Sequence, residues 1–263
     1  MESMEQIVDT SIDPATCALA LADVTKDFGA LRAVNRVSMR VAPGERRAVI
    51  GPNGAGKTTL FNLITGELSL TDGKVYLFGK NISSLPAHQR VDRGIGRTFQ
   101  ITNLFPALSV EENVLLAAQG VKPVKLNPVG RIRHSGQIHD RAMQALEDTG
   151  LSEVRGIPIN ELSHGEQRQL EVALALALEP KVLMLDEPAA GLSTAERTMM
   201  ADLISSLPDD LTIVLIEHDM DLALGLVDRV TCLHYGKVIA DDTPRCVSDN
   251  GEVQECYLGA RYA

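Results

Sequence analysis

Gly51-Pro52-Asn53-Gly54-Ala55-Gly56-Lys57-Thr58 satisfies the pattern G-x-x-x-x-G-K-[ST], and its flanks have the strand-then-helix context that the pattern requires. Glu45 to Ile50 reads as a short strand, and Thr59 to Ile64 reads as a helix that opens at Lys57. In such a loop the glycines let backbone N–H groups turn inward around a β-phosphate, and the helix N-terminus adds the positive end of its dipole. Lys57 supplies a point charge to the β- and γ-phosphates and Thr58 a hydroxyl to Mg²⁺. Gly51 to Thr58, with Thr59 behind them, therefore form the expected phosphate cradle of a nucleoside triphosphate site.

The rest of the chain is compatible with a catalytic core around that loop. Its 263 residues suffice for one large α/β domain or one domain with an inserted lobe. Apolar content of 44% with only 3% aromatics and no Trp suggests helices packed on β-branched strands. A formal charge of −10 argues against nonspecific nucleic-acid binding, which needs concentrated Lys and Arg. Cys17, Cys232, Cys246 and Cys256 lack metal-ligand spacing and read as reduced structural thiols. The acidic Met1 to Glu5 stretch shows no basic, apolar secretory signal. The apolar stretch from Leu170 to Leu185 is interrupted by Glu171, Glu179, Pro180 and Lys181, so partner chains would have to cross any membrane.

Along the chain, residues 1–16 read as an acidic lead-in. Cys17 to Val24, Ala33 to Val41 and Lys74 to Phe78 read as strands, with Pro86 near the start of a short helix. From 101 to 165 proline-punctuated helices at 109–119 and 137–150 suggest an inserted helical lobe. Within it Val121 to His139 carries Lys122, Lys125, Arg131 and Arg133 and no acid, which fits a solvated loop or a contact with a partner protein or lipid head groups. Strands at Val182–Asp186 and Thr212–Glu217 then alternate with helices, the pattern of a parallel sheet covered on both faces, and a hairpin is expected at Tyr235-Gly236-Lys237.

Lys181-Val182-Leu183-Met184-Leu185-Asp186-Glu187-Pro188 is a buried-strand pattern that presents two carboxylates at its C-terminal edge. Asp186 is placed to hold Mg²⁺, and Glu187 to polarise the water that attacks the γ-phosphate. Leu162-Ser163-His164-Gly165-Glu166-Gln167 precedes an apolar helix, and Ser163 with Glu166 makes a capping box. The same exposed helix N-terminus is suited to a γ-phosphate held by a second subunit.

In this order the motifs resemble the nucleotide-binding domains of ATP-binding cassette (ABC) transporters, over nearly the full length from Leu19 to the tail. The resemblance implies an α/β fold with a RecA-like core and an antiparallel β subdomain (17–100 and 166–263) and an inserted α-helical lobe (101–165). It implies that Phe28 stacks on adenine, that Gln100 links the lobe and reaches the metal, and that His218 acts beside Lys57 and Glu187 in catalysis. Ser163 and Gly165 become the signature segment presented to the opposite subunit's ATP. Where the family usually has Leu-Ser-Gly-Gly-Gln, this sequence has His164 and Glu166, and Ser193 stands where Asp is usual after Ala190-Gly191-Leu192.

Arg97-Thr98-Phe99-Gln100, Asp186 to Leu192, Ile216-Glu217-His218-Asp219-Met220 and Tyr257-Leu258-Gly259 narrow the resemblance to the LivG-type ATPases of bacterial branched-chain amino-acid importers. That implies ATP and Mg²⁺, a second identical or paralogous ATPase subunit, and two transmembrane permeases. It also implies an indirect partner in a periplasmic binding protein and a peripheral place on the cytoplasmic face of the inner membrane. Two alternatives share most of these motifs: an ATPase of an export or lipopolysaccharide-extraction system, and a non-transport ABC protein. The second usually carries tandem cassettes, a long coiled coil or zinc-finger insertions, none of which is evident here.

Overall fold

The computed structural model describes residues 16–98, 105–120, 136–217 and 220–259. The chain runs through β1 (Leu19–Phe28), β2 (Leu31–Val41), β3 (Arg46–Ile50), α1 (Lys57–Thr65), β4 (Asp72–Leu77), β5 (Lys80–Asn81), α2 (Ala87–Val91) and β6 (Ile95–Arg97). It continues through α3 (Val110–Gln119), α4 (Gly136–Asp148), α5 (His164–Leu176), β7 (Val182–Asp186), α6 (Thr194–Ser206) and β8 (Thr212–Ile216). The last elements are α7 (Met220–Leu226), β9 (Arg229–His234), β10 (Lys237–Asp242), α8 (Pro244–Ser248) and α9 (Gly251–Gly259).

Two sheets result among the described residues. One is antiparallel, in the order β2-β1-β4-β5, and the other has the order β10-β9-β3-β8-β7-β6. Within the second, β9, β3, β8, β7 and β6 pair in parallel, and β10 adds an antiparallel edge. The parallel strands are apolar on both faces because both faces are covered. Val49, Met184, Val214 and Ile216 join a core with α1 and the antiparallel sheet, whereas Ala48, Ile50, Leu183, Leu185, Ile213 and Leu215 face a core lined by α6 and the C-terminal helices. The alternation of neighbours between two cores is the period of two of a strand.

Helix α5 joins the parts. Leu170, Ala173 and Ala177 pack with α3 and α4 in a third cluster, while Val172 and Ala175 belong to the core on the parallel sheet. A 3.6-residue period places these two sets on different sides of one helix. Behind the loop of residues 51–56, Arg90 is buried and donates to the carbonyls of Leu63, Ile64, Ser83 and Leu85, so its fork closes the C-terminal end of α1. Burial lowers its pKa to about 10.

The expected strands and helices are present with small shifts at their ends. The first strand runs on to Phe28 instead of stopping at Val24, because Asp23 adopts φ 49° and the register shifts past it, so pairing with β2 resumes beyond the irregularity. The hairpin at Tyr235-Gly236 forms between β9 and β10. The basic residues Lys122, Lys125, Arg131 and Arg133 lie outside the described residues.

Candidate functional site

The central strand β3 delivers residues 51–56 to the C-terminal edge of the parallel sheet, and backbone sterics there require glycine at two positions. Gly51 has φ 146°, and a Cβ on it would collide with the carbonyl oxygen of Leu233. Gly56 has φ 102°, and a Cβ would lie 2.5 Å from Ala33 O. The loop is tied from outside: the Gly51 N–H donates to the Tyr257 hydroxyl at 2.7 Å, and Ala55 O accepts from the Gly236 N–H at 2.9 Å.

Lys57 opens α1 with its side chain folded into this loop, where Nζ donates to Gly51 O at 2.7 Å and to Pro52 O at 3.1 Å. It is 6% exposed, and burial lowers its pKa, an effect opposed by the nearby carboxylates of Glu187 and Asp186. A desolvated ammonium that rests on two loop carbonyls beside a helix N-terminus is arranged to receive an anion. The helix end supports this, since α1 has Gly56 as its N-cap, no side-chain cap and no acidic residue in its first turn. Asn53, Gly54 and Thr58 are exposed, Pro52 and Thr59 partly so.

The two carboxylates arrive from β7, two strands away across β8. Asp186 Oδ2 accepts from Arg97 at 2.9 Å, and the Asp186 N–H donates to Thr98 Oγ1 at 3.3 Å. Glu187 is a non-glycine residue with φ 48°, a conformation that costs about 1 kcal/mol or more and that clusters at functional sites. The turn after it is held from β8, because the buried Glu217 accepts the Ala189 N–H at 3.1 Å and the Glu187 N–H donates to Ile216 O at 3.0 Å. The hydroxyl of Thr58 and the carboxylate of Asp186 are hard oxygen donors, the type that suits Mg²⁺. Among the described residues no group of three or more His, Cys, Asp or Glu could hold a metal by itself.

Phe28 ends β1, 46% exposed as a residue, with Lys26 Nζ 5.1 Å from its ring centroid. An exposed aromatic at a strand end offers a free face for stacking. Gln100 and His218 lie outside the described residues.

Ser163 and Gly165 sit at the N-terminus of α5, and no hydrogen bond or ion pair among the described residues connects them to residues 51–58. The capping box forms: Glu166 Oε2 accepts from the Ser163 N–H at 2.8 Å, and Ser163 Oγ accepts from the Glu166 N–H at 3.3 Å. The Gly165 N–H donates to Glu196 Oε1 at 3.1 Å, and the other oxygen of Glu196 accepts from the Ser193 N–H and hydroxyl. Ser193 thereby N-caps α6 and performs the capping that an Asp would perform. The His164 ring lies over Gly191, where a Cβ would come within 3.2 Å of it, and so finds room beside a residue without a side chain.

Four contacts of this site lay beyond the reach of the motifs: Arg97 to Asp186, Tyr257 to Gly51, Glu217 to Ala189, and Glu196 to Gly165. Each joins residues at least 28 positions apart; Arg97, Glu217 and Tyr257 stood inside stretches already singled out, but their partners did not follow from those stretches, and Glu196 stood in none.

Comparison with known proteins gives the family and the fold. Residues 34–190 match the family model described as ABC transporter. The chain is 40% identical over 239 residues to the high-affinity branched-chain amino acid transport ATP-binding protein LivG of Escherichia coli K12, covering 88% of this chain and 94% of that one. It is 37% identical over 249 residues to BraF of Pseudomonas aeruginosa, a protein of the same description, covering 92% and 97%. Among solved structures, the ADP conformation of MJ1267, an ATP-binding cassette of an ABC transporter, matches with TM-score 0.81 and 30% identity, covering 92% of this chain and 98% of that one. A dimeric post-hydrolysis state of the cassette MJ0796, bound to ADP and Pi, matches with TM-score 0.72 and 28% identity over 86% and 99%.

Proposed function

The chain belongs to the ABC transporter family and is an ATPase of that family, and on that premise we propose that it powers a bacterial importer of branched-chain or related amino acids. The observation that carries the reading is the division of the site. Lys57, Asp186 and Glu187 converge at one sheet edge, while the Ser163–Gly165 helix end presents itself elsewhere on the same chain. A phosphate cradle on one surface and a second anion-binding helix end on another become one site when two subunits face each other.

In this reading two subunits, identical or paralogous, sandwich two ATP molecules, each between one loop of Gly51 to Thr58 and the partner's signature segment. Phe28 stacks on adenine, and Lys57 holds the β- and γ-phosphates. Thr58 and Asp186 hold Mg²⁺, and Gln100 completes its surroundings. Mg²⁺ supplies neutralisation of the phosphate oxygens when bound. Glu187 takes the proton of the attacking water and His218 contacts the γ-phosphate side. Closure of the pair drives two permeases fed by a periplasmic binding protein, and hydrolysis reopens it. No helix among the described residues is long and apolar enough to cross a membrane. In this reading the chain docks on its permeases from the cytoplasmic face. The description of LivG and BraF as branched-chain amino acid transport proteins supports the substrate class.

Glu187→Gln tests the division of labour. The amide keeps the shape and removes the base, so ATP binding persists, turnover falls by roughly 10²- to 10⁴-fold and an ATP-bound dimer accumulates on gel filtration. Normal hydrolysis by this variant would overturn the assignment of the base. Copurification of the chain with nucleic acid or ribosomes instead of permeases, on pull-down from solubilised membranes, would overturn the transport reading.

A further inference from the structure

Arg97 is the last residue of the edge strand β6, paired in register with Met184 of β7. Its guanidinium spans two elements of the site. One terminal nitrogen donates to Asp186 Oδ2 at 2.9 Å. The other donates to Asn62 Oδ1 at 2.7 Å and to Thr65 Oγ1 at 3.3 Å, and pairs with Glu67 Oε1 at 2.9 Å. Asn62 and Thr65 belong to α1, the helix that begins with Lys57 and Thr58, and Glu67 follows that helix directly. A single planar fork thus couples the helix that carries the phosphate cradle to the carboxylate on β7, with the Arg97 and Asp186 side chains each 12% exposed.

We propose that Arg97 is a positioning residue for the metal: anchored on α1, it holds Oδ2 of Asp186, fixes the rotation of that carboxylate and so leaves Oδ1 to the cation that Asp186 and Thr58 would hold.

Two features favour orientation over mere cohesion. First, the contact is made twice from the same strand end. Thr98, the next residue, accepts the Asp186 backbone N–H and donates its own N–H to Met184 O, so backbone and side chain of Asp186 are both gripped from β6. Second, the pairing is poor as a stabilising device. Arg97 Nε is buried with no hydrogen-bond partner among the described residues, and a largely desolvated ion pair contributes little net stability compared with apolar residues of the same size. What the fork supplies is geometry, because a planar donor with fixed angles sets the rotation of the carboxylate it holds. Groups that orient a metal ligand in this way usually change metal affinity by about 10- to 100-fold when removed.

This inference rests on the nucleotide-site reading, so its test separates the two. Calorimetry measures ADP binding in EDTA and across a series of free Mg²⁺ concentrations, for the wild-type chain, Arg97→Ala and Arg97→Lys. We expect ADP affinity in EDTA to be within twofold of wild type for both variants. The Mg²⁺ concentration that half-restores tight ADP binding should rise about tenfold in Arg97→Ala, with Arg97→Lys between, since one ammonium cannot span α1 and Asp186. An unchanged Mg²⁺ midpoint overturns the proposal, and so does an equal loss of affinity in EDTA, which would make Arg97 a support of the loop. If Arg97→Ala fails to fold, Arg97→Lys decides by the same midpoint. A wild-type chain that bound no ADP at all would sink the site reading itself, a separate outcome.

Discussion

Two helix N-termini in this chain are expected to meet the same kind of ligand, and they are built in opposite ways. Helix α1 starts from a glycine in the left-handed region, without a side-chain cap or an acidic residue in its first turn, and buries a lysine beside its free amides. Helix α5 starts from Ser163 in a full capping box, and carboxylates engage its amides: Glu166 closes on Ser163, and Glu196 reaches from α6 to Gly165. The first end is held ready for anionic phosphate; the second is satisfied inside the subunit. A phosphate arriving from a partner must therefore compete at α5 with carboxylates already in place.

The contrast can be broken most severely at α1. Lys57→Ala removes the buried cation, and loss of two charge-assisted contacts of about 1.5 kcal/mol each lowers ATP affinity by roughly 100-fold, read by calorimetry on the isolated subunit. If the affinity survives, the loop does not work through its lysine. A smaller and more selective effect is expected at α5. Gly165→Ala places a Cβ 2.9 Å from Glu196 Oε1, forcing that carboxylate away and crowding the surface offered to a partner. ADP binding to the single subunit stays as in wild type, while ATP-driven dimerisation and turnover fall about tenfold, the value of one hydrogen bond to a charged group. Equal loss of ADP binding would show that the two helix ends are not independent.

The smallest effect concerns the carboxylate that straps α5 to α6. The Ser193 hydroxyl, then the Ser193 amide, holds the Glu196 pKa below its usual 4.5. A carboxylate depressed by folding adds stability above the unfolded value, and that stability is lost as pH falls through the lower folded value. The melting temperature of wild type should therefore drop more between neutral pH and pH below about 4.5 than that of Glu196→Gln. Parallel curves would show that the strap adds nothing.

Legibility differed along the site for a physical reason. The cradle of Gly51 to Thr58 and the Asp186-Glu187 pair are local: each is a short run whose backbone demands or strand edge place the groups directly. The capping box at Ser163 is equally local, joining residues three positions apart. By contrast, the register of β3 with β8 and β9, the irregularity that extends β1 to Phe28, and the two-sided role of α5 follow from packing between distant segments. Ser193, which stands where Asp is usual, is an N-cap of α6 tied through Glu196 to Gly165, a link that the sequence alone does not show.

Alone, then, the sequence determined the phosphate loop, the paired carboxylates, the order of the motifs and the alternation of strands and helices, because each depends on residue type and near-neighbour spacing. Tertiary structure alone decided which groups hold those parts in place: Arg97 on Asp186, Tyr257 on Gly51, Glu217 on the turn after Glu187, and Glu196 on Gly165. Those contacts join residues 28 to 206 positions apart, and no local rule of propensity or period reaches across such distances; sheet order and helix packing bring them together.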